Sequence, residues 1–186
     1  AAFAAHAKDR KDTNNILKTM FSQVMPTLIL GADTPLHKEY AAKSTTKYKM
    51  IDSLSQLKDL SASLKNKPCD FNDCPSIYGG FNEHGLIPEV LEDKFGLPLE
   101  ITPQSYFDKN NIPHLSDMAS SALDILSQNK NGFFLMLESS MPDMVGHSNY
   151  IIDNNHKSPS AIAVLVREMV ELEKTLAILK EFKIGR

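Results

Sequence analysis

The chain has 186 residues, a formal net charge of −3, 42% hydrophobic side chains and 23% charged ones. That length suffices for one domain with a sizeable core, and the composition is ordinary for a globular protein. The weak negative charge excludes partners held by a basic surface, nucleic acid and anionic membrane alike, and no apolar run is long enough to span a bilayer.

The first residues, AAFAAHAKDR, read as the interior of a longer protein and not as a leader. Residues 9–25 then place Ile16, Leu17, Met20, Phe21 and Val24 at helical spacing, with Asp12 or Thr13 as N-cap and Pro26 as the stop. Thr27 to Leu30 reads as a short buried strand closed by Gly31. Residues 32–50 are polar and Lys-rich and read as a surface excursion, with KYKMID as a further short strand. A helix from about Ser53 to Leu64 shows Leu54, Leu57, Leu60 and Leu64 on one face.

Cys69 and Cys74 follow in KPCDFNDCP, between Pro68 and Pro75. A local disulfide, a zinc-binding pair and two free thiols are the three readings of that spacing; the lack of a second Cys/His pair nearby counts against zinc. Ile77 to Phe81, IYGGF, is a glycine-broken strand, and residues 82–113 show no sustained period. A helix entered at His114 or Ser116 carries Leu115, Met118, Ala119, Ala122, Leu123 and Leu126, and Asn131-Gly132 ends it. After a linker at roughly 148–158, a long helix from Pro159 or Ser160 to Phe182 has Ile162, Leu165, Val166, Met169, Leu172, Leu176 and Leu179 as its apolar face. Helix and strand alternate, so the fold class is α/β with a mostly parallel sheet.

The chemistry concentrates between Gly132 and His147, GFFLMLESSMPDMVGH. An apolar run of this kind reads as a buried strand, and α/β proteins place function at the carboxyl ends of such strands. This one ends in Glu138, with Asp143 and His147 following at a spacing of four. One turn of chain could aim that Asp and that His at a single zinc ion. Glu138 offers the oxygen that a harder ion such as magnesium prefers. The remaining histidines carry less. His6 sits in the AH of a helix-entry stretch, beside an expected upstream metal motif and outside it, His37, His114 and His156 sit in polar surroundings and read as exposed, and His84 is the one considered near a site. Ser139 and Ser140 read as small residues of a tight turn, and Arg10 and Arg167 as surface or salt-bridge residues.

The stretch PHLSDMASSALDILSQNKNGFFLMLESSMPDMVGHSN resembles the alkaline phosphatases: a Pro-opened helix, a GFFL-type strand, then Glu, Asp and His at the family's spacing. AAFAAHAKDR, TLILGAD and IYGGFNEHGLIPEVLE resemble other family segments, and the likeness is weakest over about 36–76. The resemblance implies an α/β/α sandwich, incomplete at both ends of this chain. It implies one domain over 1–186, with 36–112 as a surface or insertion region. It also implies hydrolysis of small-molecule phosphate monoesters with two zinc ions and one magnesium, through a covalent phosphoserine. Carried over by position, Glu138 is the magnesium ligand, and Asp143 and His147 bind zinc. The nucleophilic Ser would precede Ala1 and the last zinc ligands would follow Arg186, so the chain alone is expected to be inactive. A homodimer and a secreted, periplasmic or cell-surface location follow from the family. Pro142 departs from the family's usual Ile, and PDMVGH is similar to the cofactor-independent phosphoglycerate mutases, the alternative enzymatic reading. A non-catalytic excised subdomain is the alternative outside enzymology.

Overall fold

Helix α1 (Thr13–Thr19) begins where the Asp12 carboxylate accepts the Asn15 N–H at 3.1 Å, so the expected N-cap is in place. The chain then widens into a π-helical turn, Met20–Val24, and closes at Met25 with the left-handed φ of 46°. The Met25 N–H donates to the Met20 carbonyl at 2.8 Å, and Pro26 prevents a further turn. The computed structural model describes residues 4–69, 74–81, 111–139 and 161–182, apart from the side chains of 161–167. The chain divides into two compact units, Ala1–Leu86 and Ile87–Arg186.

The first unit is built on a parallel sheet in the order β1-β3-β2, with β1 at Leu28–Gly31, β2 at Lys49–Ile51 and β3 at Ile77–Gly80. Parallel neighbours need long crossovers, supplied here by α2 (Pro35–Lys43) and α3 (Leu54–Asn66). The α/β class and the parallel sheet are therefore as expected from sequence. Central strand β3 is buried along its whole length, as both faces of a central parallel strand should be. Leu57, Leu60 and Leu64 of α3 are buried, the face expected from their spacing.

Helix α2 corrects the reading of residues 32–50 as a surface excursion. Thr34 is its N-cap, accepting the His37 N–H on Oγ1 at 3.3 Å, and Pro35 opens the first turn. The helix escapes a periodicity search because Ala41 is its one fully buried side chain, with Leu36 and Tyr40 half-buried beside it. The core joins Leu17, Phe21, Ala41 and Tyr78, flanked by Ile29, Leu36, Tyr40 and Tyr48. Phe21 is its hub, edge-on to Tyr48 at 5.6 Å and tilted against Tyr78 at 5.9 Å. The Tyr48 hydroxyl donates to the Pro26 carbonyl at 2.9 Å, and burial pushes its pKa up to about 12.

The second unit pairs α4 (Leu115–Leu126) with α5 (Ala161–Glu181). His114 is the N-cap of α4. Its side chain accepts the Asp117 N–H while the Asp117 carboxylate accepts the His114 N–H at 3.2 Å, a reciprocal capping box. His114 is thus a half-buried cap and not the exposed side chain expected from its polar neighbours.

Helix α5 departs from its expected face at two positions, while Leu172 and Leu179 of that face are half-buried. Glu168, Glu171 and Thr175 are buried, while Met169 and Leu176 lie 55% and 45% exposed. The cause is the start of α4. The Glu171 carboxylate accepts the Ser116 N–H at 2.9 Å and pairs with Lys174 at 3.1 Å, and the Thr175 hydroxyl donates to the Glu171 carbonyl at 3.0 Å. An orphan amide at a helix N-terminus wants an anion, and Glu171 supplies it from the neighbouring helix.

Candidate functional site

The run from Gly132 to Glu138 is neither helix nor strand, and it belongs to no sheet among the described residues. This corrects the expectation of a buried strand. Phe134 is 70% exposed and Met136 51%, while Phe133, Leu135 and Leu137 are half-buried. Exposure therefore alternates along the run from Phe133 to Glu138. Phe133 packs edge-on to Phe182 at 6.3 Å.

Glu138 is exposed near the end of that run and makes no hydrogen bond or ion pair among the described residues. Its carboxylate is uncommitted, as an oxygen donor for a hard cation would be. Ser139 beside it is half-buried. Asp143 and His147, the expected zinc pair, lie outside the described residues, as do Ser140, His84, His156 and the Arg167 side chain. Among the described residues no group of three or more His, Cys, Asp or Glu side chains could hold a metal ion. Cys69 and Cys74 are joined as a disulfide with Cα atoms 5.2 Å apart, which removes the zinc-pair and free-thiol readings.

The first unit offers a cavity of about 760 Å³ lined by Ala5, His6, Ala7, Lys8, Asp9, Arg10 and Ile16. Arg10 is exposed and forms no ion pair among the described residues, the surface arm of its expected reading. Asp9 is engaged locally, its carboxylate accepting the Lys11 N–H at 2.8 Å. The wall therefore presents two unpaired cations and an imidazole to whatever enters. A ligand with negative charge fits that wall; a cationic one does not.

A second polar cluster lies just past the carboxyl end of β1. Asp33 is 1% exposed, accepts the Tyr78 hydroxyl at 2.6 Å and the Thr34 N–H at 2.8 Å, and has Lys38 Nζ 3.0 Å from Oδ2. That Oδ2 lacks a well-aligned hydrogen bond, so the Lys38 contact is chiefly one of charge. Burial and the adjacent carboxylate keep the Tyr78 phenol protonated far above its ordinary range. His37 is half-buried, its Nδ1 2.6 Å from Thr34 Oγ1, and not exposed as its neighbours suggested. Burial lowers its pKa, against the pull of Asp33. Sequence reading missed this cluster. Its one local signal is an Asp directly after the apolar run Leu-Ile-Leu-Gly-Ala.

With this geometry in hand, relatives decide the family. The alkaline phosphatase family model matches residues 4–182. This chain belongs to the alkaline phosphatase family. It is 28% identical over 165 residues to Alkaline phosphatase 3 of Bacillus subtilis (strain 168), an alignment covering 82% of this chain and 29% of that relative. It is 27% identical over 154 residues to Alkaline phosphatase 4 of the same organism, covering 80% and 28%. The chain thus spans under a third of the length of these curated relatives. The alkaline phosphatase match takes in the Arg10 cavity, the Asp33 cluster, Glu138, Asp143 and His147 alike, and it sets aside the mutase resemblance of PDMVGH.

Proposed function

We propose that this chain is part of a metal-dependent enzyme that hydrolyses small-molecule phosphate monoesters, of the alkaline phosphatase type. The observation that carries the reading is the family match over residues 4–182, a span that includes Glu138, Asp143 and His147. Glu138 would hold magnesium, and Asp143 with His147 would hold one of two zinc ions, the softer donor going to the softer ion. Bound metal supplies charge neutralisation at the phosphoryl oxygens and orders the reacting groups. The covalent phosphoserine forms on a Ser outside this chain.

The described residues contribute recognition. The Arg10 guanidinium is planar, permanently charged and unpaired at the cavity wall, so it can meet two phosphoryl oxygens at once. Asp9, turned to the Lys11 amide, is held off that task. The Cys69–Cys74 bridge supports an oxidising compartment, whether secreted, periplasmic or cell-surface, and closing so short a loop contributes about 2 kcal/mol on the chain-entropy account. A homodimer completes the reading.

The test uses the intact polypeptide that carries this chain, assayed for metal content and for hydrolysis of p-nitrophenyl phosphate. Asp143→Ala should lose zinc and lower kcat/KM by more than the roughly 100-fold that loss of an outer-sphere partner costs. Glu138→Gln should lower magnesium occupancy and leave zinc in place. Unchanged metal content and activity in both variants would sink the assignment.

A further inference from the structure

We propose that Lys8 makes the Arg10 cavity selective for phosphate monoesters that carry a second anionic group, such as a carboxylate, beside the phosphoryl group. The inference rests on the reading of Arg10 as the phosphoryl-binding cation. With Arg10 so occupied, Lys8 is the ammonium left on the wall among the described residues, beside the His6 imidazole. Lys8 is exposed and forms no ion pair among the described residues. Asp9, the one carboxylate on the wall among the described residues, accepts the Lys11 N–H on Oδ1 and forms no ion pair with Lys8.

Size permits the second group. A cavity of about 760 Å³ has room well beyond a phosphoryl group, and Ala5, Ala7 and Ile16 add no charge of their own. A neutral substituent there would leave the Lys8 ammonium hydrated and gain nothing from it. A carboxylate in the same place would exchange water for an ion pair. The gain is that of a solvent-exposed pair, about two- to five-fold in affinity, and salt should erode it.

The test compares 3-phosphoglycerate with sn-glycerol 3-phosphate on the intact enzyme. The two esters share a three-carbon skeleton and a terminal phosphoryl group, and one alone has a carboxylate. Lys8→Gln should lower the ratio of their kcat/KM values by about two- to five-fold, and Lys8→Arg should restore it. The wild-type ratio should also fall as ionic strength rises. A ratio that neither Lys8→Gln nor salt moves overturns the inference. Arg10→Lys separates the two claims: a loss shared by both esters upholds the cavity reading whatever Lys8 does, and no loss with either ester overturns both.

Discussion

At the scale of single residues, close approach governs the first unit more than volume does. Gly80 sits on buried β3 so near Asp33 that an added Cβ would lie 2.6 Å from the Asp33 Cγ. Asp33 cannot yield cheaply, because Tyr78, Thr34 and Lys38 all hold it. Gly80→Ala should therefore cost about 2–3 kcal/mol, the range of an overpacked core, with the Asp33–Tyr78 bond the first casualty. Gly31, paired with Gly80 across the sheet, has nothing within 4 Å of its own added Cβ. Gly31→Ala is the matched control and should be close to neutral. Urea melts of the two variants decide the matter; equal costs would show that the Asp33 cluster is not the constraint. A glycine seen in a strand tells only that a side chain is missing. That Gly80 is empty for the sake of an Asp 47 positions earlier is a tertiary fact.

At the scale of elements, the capping of α4 from α5 has a definite pH signature. Burial alone would raise the Glu171 pKa, but its hydrogen bonds from Ser116 and the Lys174 charge outweigh that and hold it below the ordinary 4.5. A folded-state pKa below the unfolded one means the unfolded chain binds more protons over that interval. The contribution is complete above pH 4.5 and is lost as pH falls through the lowered folded value. Glu171→Gln should remove that acid-side loss and cost about 1.5–3 kcal/mol at pH 7, the worth of a hydrogen bond to a charged group. Thermal melts of both proteins between pH 3 and 7 test it. Parallel curves offset by a constant would show that Glu171 is not the titrating cap. The comparison also shows what sequence can carry. The Asp12 cap, the leucine face of α3 and the His114 entry to α4 were legible because each depends on residues within a turn or two. Glu171 was not, because its partner Ser116 lies 55 residues away. Its helix was located correctly, and the expected face departs at Met169 and Leu176. Helix α2 was hidden for the opposite reason: it buries too little for its pattern to rise above the lysines around it.

At the scale of the molecule, the exposed apolar side chains set the chain's solution behaviour. Phe134 and Met136 are exposed in a segment that belongs to no sheet among the described residues, and Met169, Val170 and Leu176 are exposed on α5. Exposed apolar area favours association through the same desolvation that builds cores. The composition of this run was legible; its cover was not, because a segment's exposure depends on what lies beside it and not on its own composition. Produced as these 186 residues, the protein should therefore self-associate, with a mass above 20.7 kDa by light scattering that grows with concentration. The double variant Phe134→Lys, Met136→Glu removes the two most exposed side chains of the run without touching its half-buried row, and should shift the distribution towards monomer. Because both substitutions keep Phe133 against Phe182, loss of fold is a separate outcome, read by circular dichroism on the same samples. A wild-type chain that stays monomeric across the concentration series would show that the exposed row of this run is not an association surface.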